Sequence, residues 1–111
     1  MTKYLVLYRA GVSATDQMAN ATPEQAQAGL DAWNTWAGEA GSAVIDLGAP
    51  LAPAAIVGAG AGAAADPLGG YSVMQADSID ALRALLQRHP HLMLPGASIE
   101  VHEFLSMPGM G

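Results

Sequence analysis

Apolar residues cluster in short runs of the kind that β-strands favour, and the first run is KYLVLYR, residues 3–9. It is rich in aromatic and branched side chains and is followed by Gly11, a pattern typical of a buried strand. Successive side chains of a strand point to opposite faces of a sheet. One face of this strand therefore carries Tyr4, Val6 and Tyr8, and the other carries Leu5, Leu7 and Arg9.

Three more segments in the middle of the chain have strand character. SAVIDLG (residues 42–48) and YSVMQA (residues 71–76) are short and apolar, with turn-forming residues nearby. AAIV (residues 54–57) favours a further short strand after the proline-rich break APLAP. The run from 58 to 69, GAGAGAAADPLG, predicts a flexible loop.

Two segments have the longer period of a helix. The first, residues 22–41, begins with Thr22 as a cap, Pro23 at the first helical position and Gln25 completing a capping box. Its apolar face carries Ala26, Leu30, Trp33 and Ala37, and Gly41 marks its end. The second, residues 78–89, has a stripe of Ile79, Leu82, Leu85 and Leu86, with Ser78 or Asp77 as its cap.

The last strand, SIEVHEF (residues 98–104), alternates most regularly. Ile99 and Val101 form its apolar face, which we expect to lie against the helices. Glu100 and His102 share the opposite face, about 7 Å apart along the strand. An imidazole beside a carboxylate suits general acid/base catalysis, because imidazole titrates near neutral pH. The alternative is a solvated or interface-covered sheet face on which both side chains only form hydrogen bonds.

The order of these elements predicts an α+β fold. It is a βαββαβ plan, the ferredoxin-like arrangement, in which two helices cover one face of an antiparallel sheet. The chain of 111 residues is the size of a single domain, so residues 1–111 form one domain with a tail from 105 to 111. The second face of the sheet is left to be covered by something else.

Composition excludes several classes of function. Four basic residues against ten acidic ones give a net charge of −6, which disfavours nucleic acid and anionic membranes as partners. The chain has no cysteine, so disulfides, zinc–thiolate sites and thiol nucleophiles are excluded. No apolar run is long enough to span a membrane or to form a signal-peptide core, and we expect a cytoplasmic protein.

Three further features have residue types that occur in ligand sites. The glycines of GAGAG lack the G-x-G-x-x-G spacing and the following helix of a dinucleotide-binding loop, so we expect no nucleotide cofactor. His89 and His91 in HPH have a spacing that can chelate a metal, but a third ligand from Glu100 or His102 requires the loop to fold back. We expect no metal: His89 caps the end of a helix and His91 lies in a loop. We also expect Trp33 and Trp36 to pack against the sheet or a partner chain.

The chain resembles the YCII-related family, which includes the DGPF-domain proteins. The likeness lies in KYLVLYR, in LGGYSVMQADSIDALRALLQRHP and, most specifically, in GASIEVHEFLSMPGM. It implies a ferredoxin-like subunit that forms a homodimeric α/β barrel, with the two sheets facing each other. It also implies that Glu100, His102, Tyr8 and Tyr71 lie in or beside an interior cavity.

The chain departs from this family at two places. The enzyme-like members have a histidine in the first helix, where this chain has Leu30 and Asp31. The DGPF motif is replaced by GAGAGAAADPLGGY. These departures leave open whether the protein is an enzyme at all.

Two functions follow as hypotheses. The first is a small enzyme that transfers protons on a small cyclic or aromatic substrate, with His102 as the acid/base, Glu100 orienting it and Tyr8 donating a hydrogen bond. The second is a non-catalytic dimeric module that binds a small ligand. A third, cofactor-free monooxygenase chemistry, rests on fold analogy only.

Overall fold

A computed structural model of the chain describes residues 1–58 and 67–107. Within these residues the protein is an α+β fold with four strands and three α-helices. Short 3₁₀ turns at Gly41–Ala43 and Pro90–Met93 follow the second and third helices. The strands are β1 (Thr2–Arg9), β2 (Val44–Asp46), β3 (Leu68–Ala76) and β4 (Ser98–Glu103); the helices are α1 (Ala14–Asn20), α2 (Pro23–Ala40) and α3 (Ile79–Leu86).

The four strands form one antiparallel sheet in the order β2-β3-β1-β4. This order and the intervening helices are compatible with the predicted ferredoxin-like arrangement. The central strand β1 pairs with β3 on one side and β4 on the other, so Leu5 lies between Val73 and His102. Leu7 lies between Tyr71 and Glu100 in the same way.

One face of the sheet carries the core. The side chains of β1 alternate between buried and half-buried positions from Tyr4 onward, and those of β3 alternate in the same way from Gly70 onward. The buried set packs under α2 and α3 because both helices present apolar stripes to it. The core consists of Tyr4, Val6, Tyr8, Trp36, Met74, Ala76, Leu82 and Leu86.

The helix boundaries follow from capping groups that the sequence contains. Thr22 and Gln25 form the predicted capping box, and Pro23 begins α2. The Ser78 side chain accepts a hydrogen bond from the Ala81 N–H and begins α3. These caps satisfy backbone N–H groups that have no partner within the first turn of a helix.

Three local predictions differ from the structure. Residues 14–20, expected as a polar connection, form α1, which begins where the Ser13 side chain accepts from the Asp16 N–H. Residues 54–57, expected as a short strand, do not form one. Beyond β2, the chain contacts β3 through a bridge between Pro50 and Gly70 and a hydrogen bond from the Leu51 N–H to the Gly69 carbonyl oxygen. Leu30, expected on the apolar face of α2, is 56% exposed, because α2 meets the core only through its C-terminal half.

Part of the predicted loop and tail lies outside the described residues, namely 59–66 and 108–111. In the described part of the chain, no helix has the combination of length and hydropathy that crossing a bilayer requires.

Candidate functional site

The candidate site lies on the face of the sheet opposite α2 and α3, which we call the open face. Its centre is an apolar floor formed by Leu5 and Leu7 of β1 and Val73 of β3, all half-buried. Because side chains alternate, these residues point away from the core that Tyr4, Val6 and Tyr8 form. Polar side chains border the floor on both sides. They are Glu100 and His102 on β4, and Tyr71 and Asp46 on β3 and β2.

The closest polar contact on the open face joins His102 and Glu100. The distance from His102 Nε2 to Glu100 Oε2 is 2.6 Å. The second carboxylate oxygen, Oε1, accepts from Arg9 Nε at 3.4 Å. The two-residue repeat of β4 places the carboxylate and the imidazole side by side, and the antiparallel pairing of β1 with β4 brings Arg9 within reach.

These contacts determine the ionisation of Glu100. The hydrogen bond from His102 has the largest effect and lowers the pKa of the Glu100 carboxyl; desolvation opposes it, and the charge of Arg9 lowers the pKa further. Glu100 is therefore an acceptor near neutral pH, and neutral His102 must carry its proton on Nε2 to donate to it. The lone pair of the imidazole then lies on Nδ1, which is the nitrogen able to take a proton.

A second polar pair borders the other side of the floor. Tyr71 donates its hydroxyl proton to Asp46 Oδ2 at 3.4 Å, and Asp46 Oδ1 accepts from the Gly48 N–H at 2.9 Å. Gly48 has a positive φ of 82°, and a Cβ there would lie 1.7 Å from the Tyr71 carbonyl oxygen. Only glycine fits this turn, and the turn holds the Asp46 carboxylate at the end of β2.

The structure does not bring Tyr8 together with Glu100 and His102, so the predicted placement of Tyr8 is wrong. Tyr8 is 1% exposed and lies on the opposite face of the sheet, because it differs from Leu7 by one residue. Its hydroxyl donates to Ser72 Oγ at 2.9 Å. Burial raises the pKa of Tyr8 to about 12, and the hydrogen bond to Ser72 opposes this effect only in part.

His89 and His91 are buried on the helix-covered face, which the sequence interpretation missed. His89 is 2% exposed, with ring centroids 4.2 Å from Trp36 and 4.3 Å from Trp33. Burial, with a smaller effect of His91, lowers the pKa of His89 to about 4. One signal was present: His89 continues the apolar stripe of Leu82 and Leu86 at helical spacing.

The two buried histidines have structural partners. His89 Nδ1 accepts from the His91 N–H at 2.9 Å, so neutral His89 carries its proton on Nε2. The His91 Nε2 atom lies 2.8 Å from the Arg9 carbonyl oxygen and 3.2 Å from that of Ser98. It ties the end of β1 to the beginning of β4. Among the described residues, no group of three His, Cys, Asp or Glu side chains is placed to hold a metal ion.

Two clefts on the described surface do not include the polar pair of β4. One, of about 600 Å³, lies beside Lys3 and Phe104. The other, of about 460 Å³, lies between Trp36 and Met93. The side chain of His102 is 57% exposed and that of Glu100 is 42% exposed. A ligand on the open face is therefore enclosed only if a second surface covers it.

The fold and site together define an α+β protein with a carboxylate–imidazole pair on an open sheet face. Comparisons of the chain with models of protein families and with curated proteins found no match.

Proposed function

We propose that the protein is a homodimer whose open faces meet, and that it transfers protons on a small cyclic organic substrate held between them. The subunit would then be ferredoxin-like and the dimer an α/β barrel, as the resemblance to the YCII-related family implies. The observation that carries the chemistry is the 2.6 Å contact between His102 Nε2 and Glu100 Oε2 on this face.

Charge balance supports a second copy of the chain as the cover. The chain carries a net charge of −6, so two copies repel each other over most of their surfaces. The open face differs: among its described strand residues, Lys3 and Arg9 balance Asp46 and Glu100, so these residues carry no net charge while His102 is neutral. Half-buried Leu5, Leu7 and Val73 provide apolar area at its centre. A neutral face with an apolar centre is where two acidic copies associate at the least electrostatic cost.

In the proposed reaction, His102 Nδ1 removes a proton from a carbon next to a substrate carbonyl. The C–H electron pair moves into the carbonyl group to form an enolate, and the same imidazole returns a proton to carbon. Glu100 fixes the ring through Nε2 and stabilises the imidazolium that forms, which is what a carboxylate does for a catalytic histidine.

The dimer is tested by sedimentation equilibrium of the full chain at micromolar concentrations. We expect a dimer mass, and a monomer mass for Leu7→Glu, because a new carboxylate in the apolar floor opposes another copy of itself. Glu103→Gln is the control, since Glu103 pairs with Tyr4 and belongs to the helix-covered side. A monomer at all concentrations contradicts the proposal.

The chemistry is tested with 2-tetralone, a cyclic ketone with acidic protons next to its carbonyl. Deuterium incorporation from D₂O is followed by proton NMR with and without protein. We expect acceleration by the wild type and loss of most of it in His102→Gln, since general acid/base groups contribute about 10²–10⁴-fold. His91→Gln leaves the open-face imidazole in place and serves as a control for loss of a histidine. Equal rates for wild type and His102→Gln contradict the reaction.

A non-catalytic binding module of the same dimer is the second candidate. The lack of a histidine in the first helix favours this candidate, because the enzyme-like members of the YCII-related family have one there. Leu30 and Asp31 occupy that place, and both are exposed on α2. Retention of 2-tetralone without any proton exchange is the result expected of this module.

A further inference from the structure

The open face has a second polar border that the proposed proton transfer does not use. Across the floor from Glu100 and His102 lie Tyr71 and Asp46. Adjacent strands are about 4.8 Å apart, so β4 and β2 are separated by about 14 Å, with the apolar floor between them. The His102 and Asp46 side chains occupy part of that distance.

We propose that Asp46 binds the far end of the substrate, and that the substrate is a flat molecule of two fused rings. It carries a carbonyl group at the His102 end and a hydroxyl or amino donor at the Asp46 end. This inference rests on the proposed function, because it assigns the ligand class of the same site. A single ring is short for the span, whereas two fused rings cover the floor and leave both polar ends in contact.

The Asp46 carboxylate has the capacity for such a contact. An ionised carboxylate accepts at about four lone-pair positions. In the structure Oδ1 accepts from the Gly48 N–H, and Oδ2 has one long contact of 3.4 Å with the Tyr71 hydroxyl. The carboxylate is exposed and still has acceptor positions for a ligand donor. The turn that only Gly48 permits holds it in place before the ligand arrives.

The floor determines the shape of the ligand between the two ends. Leu5, Leu7 and Val73 are each half-buried, so their exposed surfaces form an apolar layer on the sheet. A flat hydrocarbon ring system covers such a layer well, and a branched chain does not. The second copy of the chain presents the same floor from above, which favours a ligand of ring thickness.

The test uses three ketones that differ at one position: 2-tetralone, 6-hydroxy-2-tetralone and 6-methoxy-2-tetralone. Affinities for the full chain are measured by isothermal titration calorimetry. We expect the hydroxyl compound to bind about tenfold more tightly than 2-tetralone, the effect of one hydrogen bond to a charged group. The methoxy compound has no donor, so it binds no more tightly than 2-tetralone.

Two matched variants locate the donor contact. Asp46→Asn retains an acceptor for the Gly48 N–H but loses the charge, and we expect the preference for the hydroxyl compound to fall by at least about threefold. Asp31→Asn makes the same change on α2, away from the open face, and the preference remains. Circular dichroism confirms that both variants fold.

The outcomes separate this inference from the proposed function. Three results would overturn the proposal that Asp46 binds the substrate donor. They are equal affinity for all three ketones, no binding of any of them, and an unchanged preference for the hydroxyl compound in Asp46→Asn. If the affinities are equal, or if the preference is unchanged in Asp46→Asn, while deuterium exchange still depends on His102, then the proton-transfer proposal stands without a role for Asp46. A hydroxyl preference that depends on Asp46, with no exchange in any compound, supports the anchor and overturns the proton transfer.

Discussion

The two faces of the sheet place the same kinds of side chain in opposite environments, one buried and one exposed. On the helix-covered face, His89 is enclosed by Trp33 and Trp36, and its pKa is lowered to about 4. On the open face, His102 is 57% exposed and contacts an ionised carboxylate. Both residues belong to the segment 89–102. Burial lowers the pKa of one histidine, whereas the other is exposed beside the Glu100 carboxylate.

The same contrast holds for tyrosine. Tyr8 is buried and donates to Ser72 at 2.9 Å, whereas Tyr71 is half-buried and makes a 3.4 Å contact with Asp46. On the covered face, Tyr8, Ser72 and His91 form hydrogen bonds inside the protein. The open face keeps its polar groups available. Changes to the covered face should therefore alter stability, and changes to the open face should alter binding and exchange.

The largest expected effect comes from truncating a core leucine. Leu82 is 0% exposed, so Leu82→Ala removes buried methyl groups and leaves a cavity. We expect the free energy of unfolding to fall by about 3 kcal/mol in urea titrations. Leu7→Ala on the open face should cost about 1 kcal/mol or less under conditions where the chain is monomeric. Equal costs for the two variants would show that the faces do not differ in packing.

The next effect is a dependence of stability on pH through His89. Its pKa is about 4 in the folded protein and 6.5 in the unfolded chain. Between these values the unfolded chain binds a proton that the folded protein does not, so stability falls as the pH falls. The expected loss is about 2 kcal/mol between pH 7 and pH 5. It is measured by urea unfolding at a series of pH values.

Two variants isolate this effect. His89→Asn retains an acceptor near the His91 N–H but does not titrate, so its stability should vary less between pH 7 and pH 5. His102→Asn removes a histidine from the open face and should retain the fall in stability that His89 causes. A His89→Asn variant with the full wild-type dependence would assign the effect to other groups.

The alternation of side chains along each strand predicted most of the difference between the covered face and the open face. It assigned Tyr4, Val6 and Tyr8 to one face and placed Glu100 beside His102, and the register confirms both. The sequence pattern failed where the structure depends on contacts between different secondary-structure elements. α1 forms in a polar stretch that has a serine cap but little apolar pattern. His89 continues the apolar stripe of Leu82 and Leu86, but its contacts with Trp33 and Trp36 of α2 depend on tertiary packing that the stripe does not specify.

The placement of Tyr8 shows a different kind of error. The residues alone put Tyr8 on the face opposite Leu7, whereas the family resemblance implied that it lines the cavity with His102. The structure agrees with the residues. A period of two is a geometric constraint on the strand, and a shift of one residue moves a side chain to the other face. Asp46 lies at the end of β2, and only the pairing of β2 with β3 brings its carboxylate beside Val73 and Tyr71.

A smaller difference in stability is expected when the hydroxyl groups of Tyr8 and Tyr71 are removed in turn. Tyr8→Phe removes a buried hydrogen bond to Ser72, and we expect a loss of about 1 kcal/mol in the free energy of unfolding. Tyr71→Phe removes a long contact near solvent and should change stability by less than about 0.5 kcal/mol. Both are measured by urea unfolding at pH 7. A larger cost for Tyr71→Phe would mean that the open face has a structural role in the monomer.

A change at Glu100 should have the smallest effect on stability but a large effect on proton exchange. Its contacts with His102 and Arg9 are partly exposed, and ion pairs of this kind add little to stability. Glu100→Gln should therefore unfold within about 0.5 kcal/mol of the wild type. Because the amide neither fixes the imidazole through a charge nor stabilises its protonated form, deuterium exchange of 2-tetralone should slow on the order of a hundredfold.

Glu103→Gln is the matched control, since Glu103 lies on the same strand but on the side of Tyr4. It makes the same chemical change in an exposed carboxylate and should leave both stability and exchange unaltered. If Glu100→Gln instead loses stability and keeps its exchange rate, then the carboxylate–imidazole pair is a structural contact. The difference between the faces would then be one of exposure alone, because the polar pair of the open face would have no chemical role.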